Sequence, residues 1–313
     1  MSWKSHAIGL STLLLATTTA VEARANPRPL PYTYIYETLP AGDAEIELYT
    51  DLAPVRVADA ITTRSLGRAY VFLPTCASTN DEAAARAAEG ADQGLLVVSD
   101  EQSAGRGRRG RTWHSPAGEN LYLSLLLRPA VPAHRIAPLT LVAGAALARA
   151  LMALGFSPRL KWPNDVLLDG PEGLRKVAGI LTEMATEGRR VRHAVLGIGI
   201  NVNARAFPGE LAERATSLRH LRGAAVDRVN VLATFLGAFE PLYDDFVASG
   251  PGAGLRAWQD FALFGQACWV QSGARRTEGI AESVDEHGAL LIRTGDGKLV
   301  AIHAGEVNWQ KTR

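Results

Sequence analysis

Cysteine is nearly absent from this chain: two residues in 313, Cys76 and Cys268. So few, so far apart, exclude a disulfide framework and give no zinc-ligand spacing, so both are expected to be ordinary, partly buried thiols. A charge excess is also missing. Lys plus Arg number 33 against 32 Asp plus Glu, a net charge of +1, which offers no broad face for a polyanion. No apolar run is read as reaching the ~20 residues of a bilayer-spanning helix. Internal repeats and low-complexity tracts are lacking too. What remains is an ordinary globular composition, 47% hydrophobic and 21% charged, in a chain long enough for two domains.

The first thirty residues allow two readings. Lys4, an apolar stretch over 8–20 and Ala23-Arg24-Ala25 resemble a secretory signal. Ser11, Thr12, Thr17, Thr18 and Thr19 dilute that stretch, which also suits an unstructured or misassigned start. Asn26-Pro27-Arg28-Pro29-Leu30-Pro31 is a linker. A short hairpin is expected over 32–50, turning at Ala41-Gly42-Asp43, and a short helix over 55–66. The paired amphipathic helices of a DNA-binding helix-turn-helix are not found here.

From Tyr70 the pattern sharpens. Strands are expected over 70–73, 95–99, 121–127, 160–162, 166–168, 177–183 and 191–200, with helices over 79–89, 134–154 and 227–247. That is the α+β class, a mixed β-sheet with packed helices. After about residue 262 the texture turns to short β segments over 267–271, 276–284, 290–293 and 299–303. Turns at Glu286-His287-Gly288 and Gly295-Asp296-Gly297 separate them. The expected organisation is an N-terminal extension over 1–67, a main domain over 68–261 and a small β-barrel over 262–313.

The densest chemistry lies in Gly105-Arg106-Gly107-Arg108-Arg109-Gly110-Arg111-Thr112-Trp113. Arginine supplies planar donors that match phosphate and carboxylate oxygens. Glycine lets the backbone approach a ligand. The Gly-x-Gly-x-x-Gly spacing is not a dinucleotide fingerprint, because Pro116 and Gly118 follow where a helix should start and no acidic residue lies near 130. Kinase motifs are absent as well. A solvated basic loop is the plain alternative to a loop that closes over an anion. Four further segments carry similar double readings. Ser78-Thr79-Asn80-Asp81-Glu82 is a capping box or a ligand-binding helix start. Lys161-Trp162-Pro163-Asn164-Asp165 is turn chemistry or an anion site. Lys176-Val177-Ala178-Gly179-Ile180 carries an edge charge or a lysine aimed into a cavity. The glycines of Gly197-Ile198-Gly199-Ile200-Asn201 mark tight strand packing or a ligand against the backbone.

All five segments, in this order, resemble the biotin protein ligase family over roughly residues 68–313. The resemblance implies a class II synthetase-like biotin/lipoate ligase catalytic domain with an SH3-like C-terminal domain, and no N-terminal DNA-binding domain. It implies formation of biotinyl-5′-AMP from ATP and biotin, assisted by Mg2+, then transfer to a lysine of a biotin carboxyl carrier domain. By the same resemblance, Lys176, Arg106 and Arg108 carry the chemistry. Ser78, Thr79, Asn80, Gln102, Arg106, Gly107, Arg108, Trp113, Lys176, Gly179 and Gly199 bind biotin. Arg108, Arg109, Arg111, Asn164, Asp165 and Asn201 bind the nucleotide. No resident metal, specific DNA or membrane contact is expected, and the chain is expected to be a cytoplasmic monomer or homodimer. A lipoate- or octanoate-activating ligase and a DNA-binding biotin repressor are the alternatives.

Overall fold

The computed structural model describes residues 33–34 and 50–309. The signal-like segment, the proline linker and most of the expected 32–50 hairpin lie outside the described residues. The larger sheet contains β1 (Thr33–Tyr34), β2 (Ala69–Cys76), β3 (Leu96–Gln102), β4 (Leu121–Leu127), β5 (Pro158–Lys161), β6 (Asp165–Gly170), β7 (Gly173–Glu187) and β8 (Arg190–Ile200). Their spatial order is β1-β2-β3-β4-β8-β7-β6-β5. The first three are parallel and all other neighbours antiparallel, so the sheet is mixed. Helices α1 (Pro54–Ala60), α2 (Thr79–Ala88), α3 (Leu139–Ala153), α4 (Leu211–Arg214), α5 (Leu218–Arg222), α6 (Arg228–Ser249) and α7 (Gly252–Gln259) complete this part.

Cross-strand register makes the two sheet faces unlike. Leu121, Ile200 and Ala178 form one row and Leu123, Ile198 and Ile180 another, all on one face and all in the main core. Helix α3 packs there against β5, β6, β7 and α6. The opposite face carries Ser124, Gly197 and Leu181 in one row and Gly199 and Gly179 in the next. Part of that face is covered by α2, over Val71, Leu73, Val97, Leu126 and Val195. Where the glycines stand, that face borders a cleft.

Local chemistry moved several expected boundaries. The helix expected over 134–154 splits into a 3-10 turn, Ala133–Arg135, and α3. Pro138 has no N–H to continue the helical ladder. Contrary to the reading from sequence, the 21-residue segment Ala133–Ala153 is long and apolar enough to cross a bilayer. Its apolar window is 72% buried inside the fold, where Ala and Leu fill the centre of the core. Helix α6 starts at Asp227, whose carboxylate accepts the Val229 and Asn230 N–H groups. The expected capping box at α2 does not form. Ser78 makes no side-chain cap bond, and Gln102 Oε1 accepts the Thr79 N–H at 2.9 Å instead. The Ser-Thr-Asn side chains are left to face inward.

Residues 50–66 belong to the core through Leu52, Val57, Ile61 and Leu66. Polar ties hold this segment down. Glu240 accepts the backbone N–H groups of Arg64, Ser65 and Leu66. Arg228 is 3% exposed and donates to Asp51, to Asp100 at 2.6 Å and to the Asn120 carbonyl at 2.9 Å. Arg228→Met should cost about 3 kcal/mol, the low end for breaking a buried ion pair from one side, because both aspartates are partly solvated. Urea denaturation of the two proteins measures it, and a change below about 0.5 kcal/mol would contradict this assignment.

The second sheet is formed by β9 (Ala267–Ser272), β10 (Arg275–Val284), β11 (Leu290–Arg293), β12 (Leu299–Ile302) and β13 (Glu306–Trp309). All pairs are antiparallel, in the order β12-β11-β10-β9-β13, as in an SH3-like domain. Asp285 shapes one of the two expected turns by accepting the His287 and Ala289 N–H groups. The apolar core runs without a break from the first sheet into the second, through Val270, Ala281, Leu290 and Ile292. Trp162 Nε1 also donates to the Gly288 carbonyl at 2.9 Å. Cys76 and Cys268 are both buried free thiols, and burial pushes both thiols up.

Candidate active site

The glycine face forms the floor of a cleft of about 1120 Å³. Every candidate residue named from the sequence lines it: Ser78, Thr79, Asn80, Gln102, Arg106, Gly107, Arg108, Arg109, Arg111, Trp113, Asn164, Asp165, Lys176, Gly179, Gly199 and Asn201. One irregularity of register brings the lysine there. Val166 pairs with Ala178 but Leu167 pairs with Lys176, so Val177 is an extra residue in β7. A bulge of this kind re-aims side chains. It puts Lys176 on the face that Gly179 shares, beside Asp165, which pairs with Gly179 across the ladder. Lys176 Nζ lies 2.5 Å from Asp165 Oδ1 and 5.2 Å from the Trp113 ring centroid.

The glycines have a more specific role than the sequence suggested. A Cβ at Gly199 would collide with the Trp113 indole nitrogen, and one at Gly197 with the Asn80 carboxamide oxygen. At Gly179 it would stand 3.0 Å from Trp113 Cζ3. The close approach is therefore made by the protein's own indole and carboxamide. Trp113 Nε1 is buried there without a hydrogen-bond partner among the described residues.

The arginine loop is a small hairpin closed on itself. Gly107 N–H donates to the Arg111 carbonyl at 2.7 Å and Trp113 N–H to the Gly105 carbonyl at 2.8 Å. Its tip turns at Arg109, whose φ of 58° is unusual for a side-chain-bearing residue, followed by Gly110 at 71°. This aims Arg109 at the Gln271 carbonyl, 3.5 Å away, and Arg111 into an ion pair with Glu306. Both partners belong to the second sheet. Burial would raise the Glu306 carboxyl, but the Arg111 guanidinium, with Lys161 and Arg109, holds it below its usual range. Arg108 turns into the cleft, 3.5 Å from Asn164 Oδ1, where burial lowers its pKa. Arg106 is engaged elsewhere. Its guanidinium bonds both Asp81 oxygens, at 2.5 and 2.6 Å, and lies 3.4 Å from Glu183 Oε2. The Asp81 pair raises the Arg106 pKa and lowers that of Asp81.

Two asparagines serve mainly as scaffold. Asn80 donates to Glu183 Oε2 at 2.6 Å and accepts from the Ser124 hydroxyl at 2.6 Å. Asn201 donates to the Thr216 carbonyl at 3.1 Å and so places the segment after it. The sequence reading overlooked Ser124, Glu183, Ser115 and Glu306. Lys161 stands in one of the five segments, but the resemblance assigns it no role. Lys161 lines the cleft, and burial, aided by Lys176 and Arg111, lowers its pKa against the opposing pull of Asp165 and Glu306. An ion-pair partner for Arg111 had no sequence signal, since Glu306 lies 195 residues away.

A basic, glycine-floored cleft on a mixed sheet, beside an SH3-like sheet, has counterparts in known proteins. The model of the Biotin/lipoate A/B protein ligase family matches residues 74–201, and that of the Biotin protein ligase C terminal domain matches residues 263–308. The chain belongs to the biotin protein ligase family. It is 39% identical to the biotin–[acetyl-CoA-carboxylase] ligase of Paracoccus denitrificans over 237 residues, 74% of this chain and 96% of that one. Against the bifunctional ligase/repressor BirA of Bacillus subtilis it is 37% identical over 250 residues, 79% of this chain and 76% of BirA. The biotin protein ligase of Aquifex aeolicus, solved with biotin and ATP, superposes with a TM-score of 0.66 at 30% identity, over 78% of this chain and 99% of that one.

Proposed function

We propose that this ligase joins biotin and ATP in the cleft as biotinyl-5′-adenylate, then passes the biotinyl group to a carrier-domain lysine. The observation that carries the reading is the convergence of all five motif segments on one glycine-floored cleft. In the first step a biotin carboxylate oxygen bonds to the α-phosphorus. The bond from that phosphorus to the bridging oxygen breaks, and pyrophosphate leaves. Two anions must meet, and Lys176 and Arg108 supply fixed positive charge where they do. In the second step the neutral amine of the carrier lysine bonds to the acyl carbon. The acyl–oxygen bond breaks, AMP leaves with the bonding pair, and the amine proton passes to solvent. The hairpin loop, with Trp113 against the floor, excludes water from the mixed anhydride between the steps.

Magnesium fits only as a companion of the nucleotide. Among the described residues no group of three or more His, Cys, Asp or Glu side chains could hold a metal. Asp165, with Asn164 beside it, would give such an ion one carboxylate, phosphate oxygens and water completing the shell. The ion would neutralise phosphate charge. A cytoplasmic setting, where ATP is available, fits the same reading. The proposed carrier is the biotin carboxyl carrier domain of a carboxylase, in keeping with the relative named for acetyl-CoA carboxylase. A role as repressor is not proposed, because residues 1–67 lack the sequence pattern of two packed amphipathic helices.

The deciding experiment mixes purified protein with ATP, a carrier domain and one acid at a time. Pyrophosphate release and carrier labelling with biotin, and neither with lipoate nor octanoate, is the expected result. Release with lipoate or octanoate in place of biotin would overturn it.

Lys161 adds a pH signature. Its lowered pKa means the ammonium loses its proton earlier than an ordinary lysine as pH rises. The KM for ATP should therefore climb on the alkaline side, where Lys161 turns neutral. Lys161→Arg, cationic throughout, should flatten that limb. An unchanged alkaline limb in the arginine variant would remove Lys161 from nucleotide binding.

A further inference from the structure

Glu183 is not among the residues to which the resemblance gives a role, yet it links two parts of the site. Its Oε2 accepts from Asn80 Nδ2 at 2.6 Å and lies 3.4 Å from Arg106 NH2. Asn80 is 5% exposed, and its Oδ1 is held by the Ser124 hydroxyl, which lies 2.8 Å from Thr79 Oγ1. Thr79 Oγ1 and N–H both meet Gln102 Oε1, at 3.3 and 2.9 Å. Gln102 Nε2 donates to Ser115 Oγ at 3.0 Å, and the Ser115 hydroxyl donates to the Trp113 carbonyl at 2.9 Å. The chain of bonds thus leaves the arginine hairpin at Arg106, crosses the Ser-Thr-Asn floor and returns to the hairpin at Trp113. Asp81, on the first turn of α2, completes the grip on Arg106 with two further bonds.

We propose that Glu183 is a positioning residue of the ligation: with Asp81 it latches Arg106, and so ties closure of the hairpin to the state of the floor that receives biotin. An isolated exposed pair would be worth little. Here the Glu183 oxygen that meets Arg106 is also bonded to a buried carboxamide, so loop and floor share one acceptor. A ligand that turns the Thr79 or Asn80 side chains redistributes bonds along the whole circuit and changes how firmly Arg106 is held. Conversely, releasing Arg106 loosens the floor.

The inference rests on the ligase reading, and its test separates the two. Glu183→Gln keeps the shape and removes the charge, and Asp81→Asn does the same at the second carboxylate. Amide hydrogen exchange of residues 105–113 is measured without any ligand, and KM for biotin and kcat by biotin-dependent pyrophosphate release. Glu183→Gln should speed exchange in the hairpin and raise KM for biotin by about tenfold each, as for one lost charge-assisted hydrogen bond, with kcat within about threefold. Asp81→Asn should shift both in the same direction. Unchanged exchange with unchanged KM, in both variants, overturns the latch. A fall in kcat at constant KM also overturns it, since that marks a group acting on the reacting atoms. If wild-type protein releases no pyrophosphate with biotin, the ligase reading fails, and the exchange data still decide the latch. Should Glu183→Gln fold poorly, Asp81→Asn carries the same comparison.

Discussion

Lys176→Ala should slow biotin-dependent pyrophosphate release by roughly 10²–10³-fold, the usual cost of removing one preorganised charge-stabilising donor. Two effects add in the same direction. The ammonium no longer faces the meeting point of carboxylate and α-phosphate. Asp165, its partner at 2.5 Å, is left as an unpaired anion in the same place. A carboxylate substrate would then approach a negative wall. Stability should change little, since Lys176 lies at the cleft and not in the apolar core. Stopped-flow measurement of the first turnover checks the rate. A loss of less than about tenfold would show that the lysine is not at the reacting centre.

Gly199→Ala should be nearly as severe, by roughly 10²-fold, through displacement and not through charge. The added methyl would occupy the space of the Trp113 indole. Gly199 lies near the end of β8 but is paired on both sides, with Tyr122 and Gly179, so the backbone has nowhere to retreat. The indole must leave, and the hairpin that carries it cannot seat. Trp113→Ala alone should also be slow. The double variant Gly199→Ala/Trp113→Ala should be no worse than Trp113→Ala, because the clash is gone. Fully additive losses, read from the same first-turnover assay, would mean that the glycine serves a ligand directly and not the indole.

The residues of the site were legible because their chemistry is unusual for their setting: interleaved glycine and arginine, a lysine entering an apolar strand, paired glycines inside another. Their directions were not. In a regular strand Lys176 and Gly179, an odd number apart, point to opposite faces. Only the bulge at Val177 reconciles them, and a bulge has no signal in a lone sequence. Register also hid Ser124, which reads as one polar residue in an apolar strand until Gly197 is placed beside it. The roles of Asn80 and Asn201 depend on distant acceptors, Glu183 and Thr216, that no local pattern couples to them. One helix start and one cap failed where a single atom decides: the absent N–H of Pro138 moved the first, and the Gln102 oxygen replaced the cap expected at Ser78, although that helix begins at Thr79 as expected. The mixed sheet and the late β-rich part came through because they rest on hydrophobic periodicity over many residues.

The unbroken core between the two sheets has a consequence for how this protein can be divided. The backbone of β5 is bonded to the chain leading into the second sheet, Leu160 to Phe261 and Leu263 to Leu160, at 2.9 and 3.0 Å. Trp162 reaches across to Gly288, and the arginine hairpin reaches across to Gln271 and Glu306. Cutting before residue 262 would uncover apolar side chains of the catalytic half and at the same time let go of the hairpin. The SH3-like sheet is thus a buttress. An engineer seeking a minimal labelling enzyme would have to rebuild a wall, where the family's two-part matching suggests a module to discard.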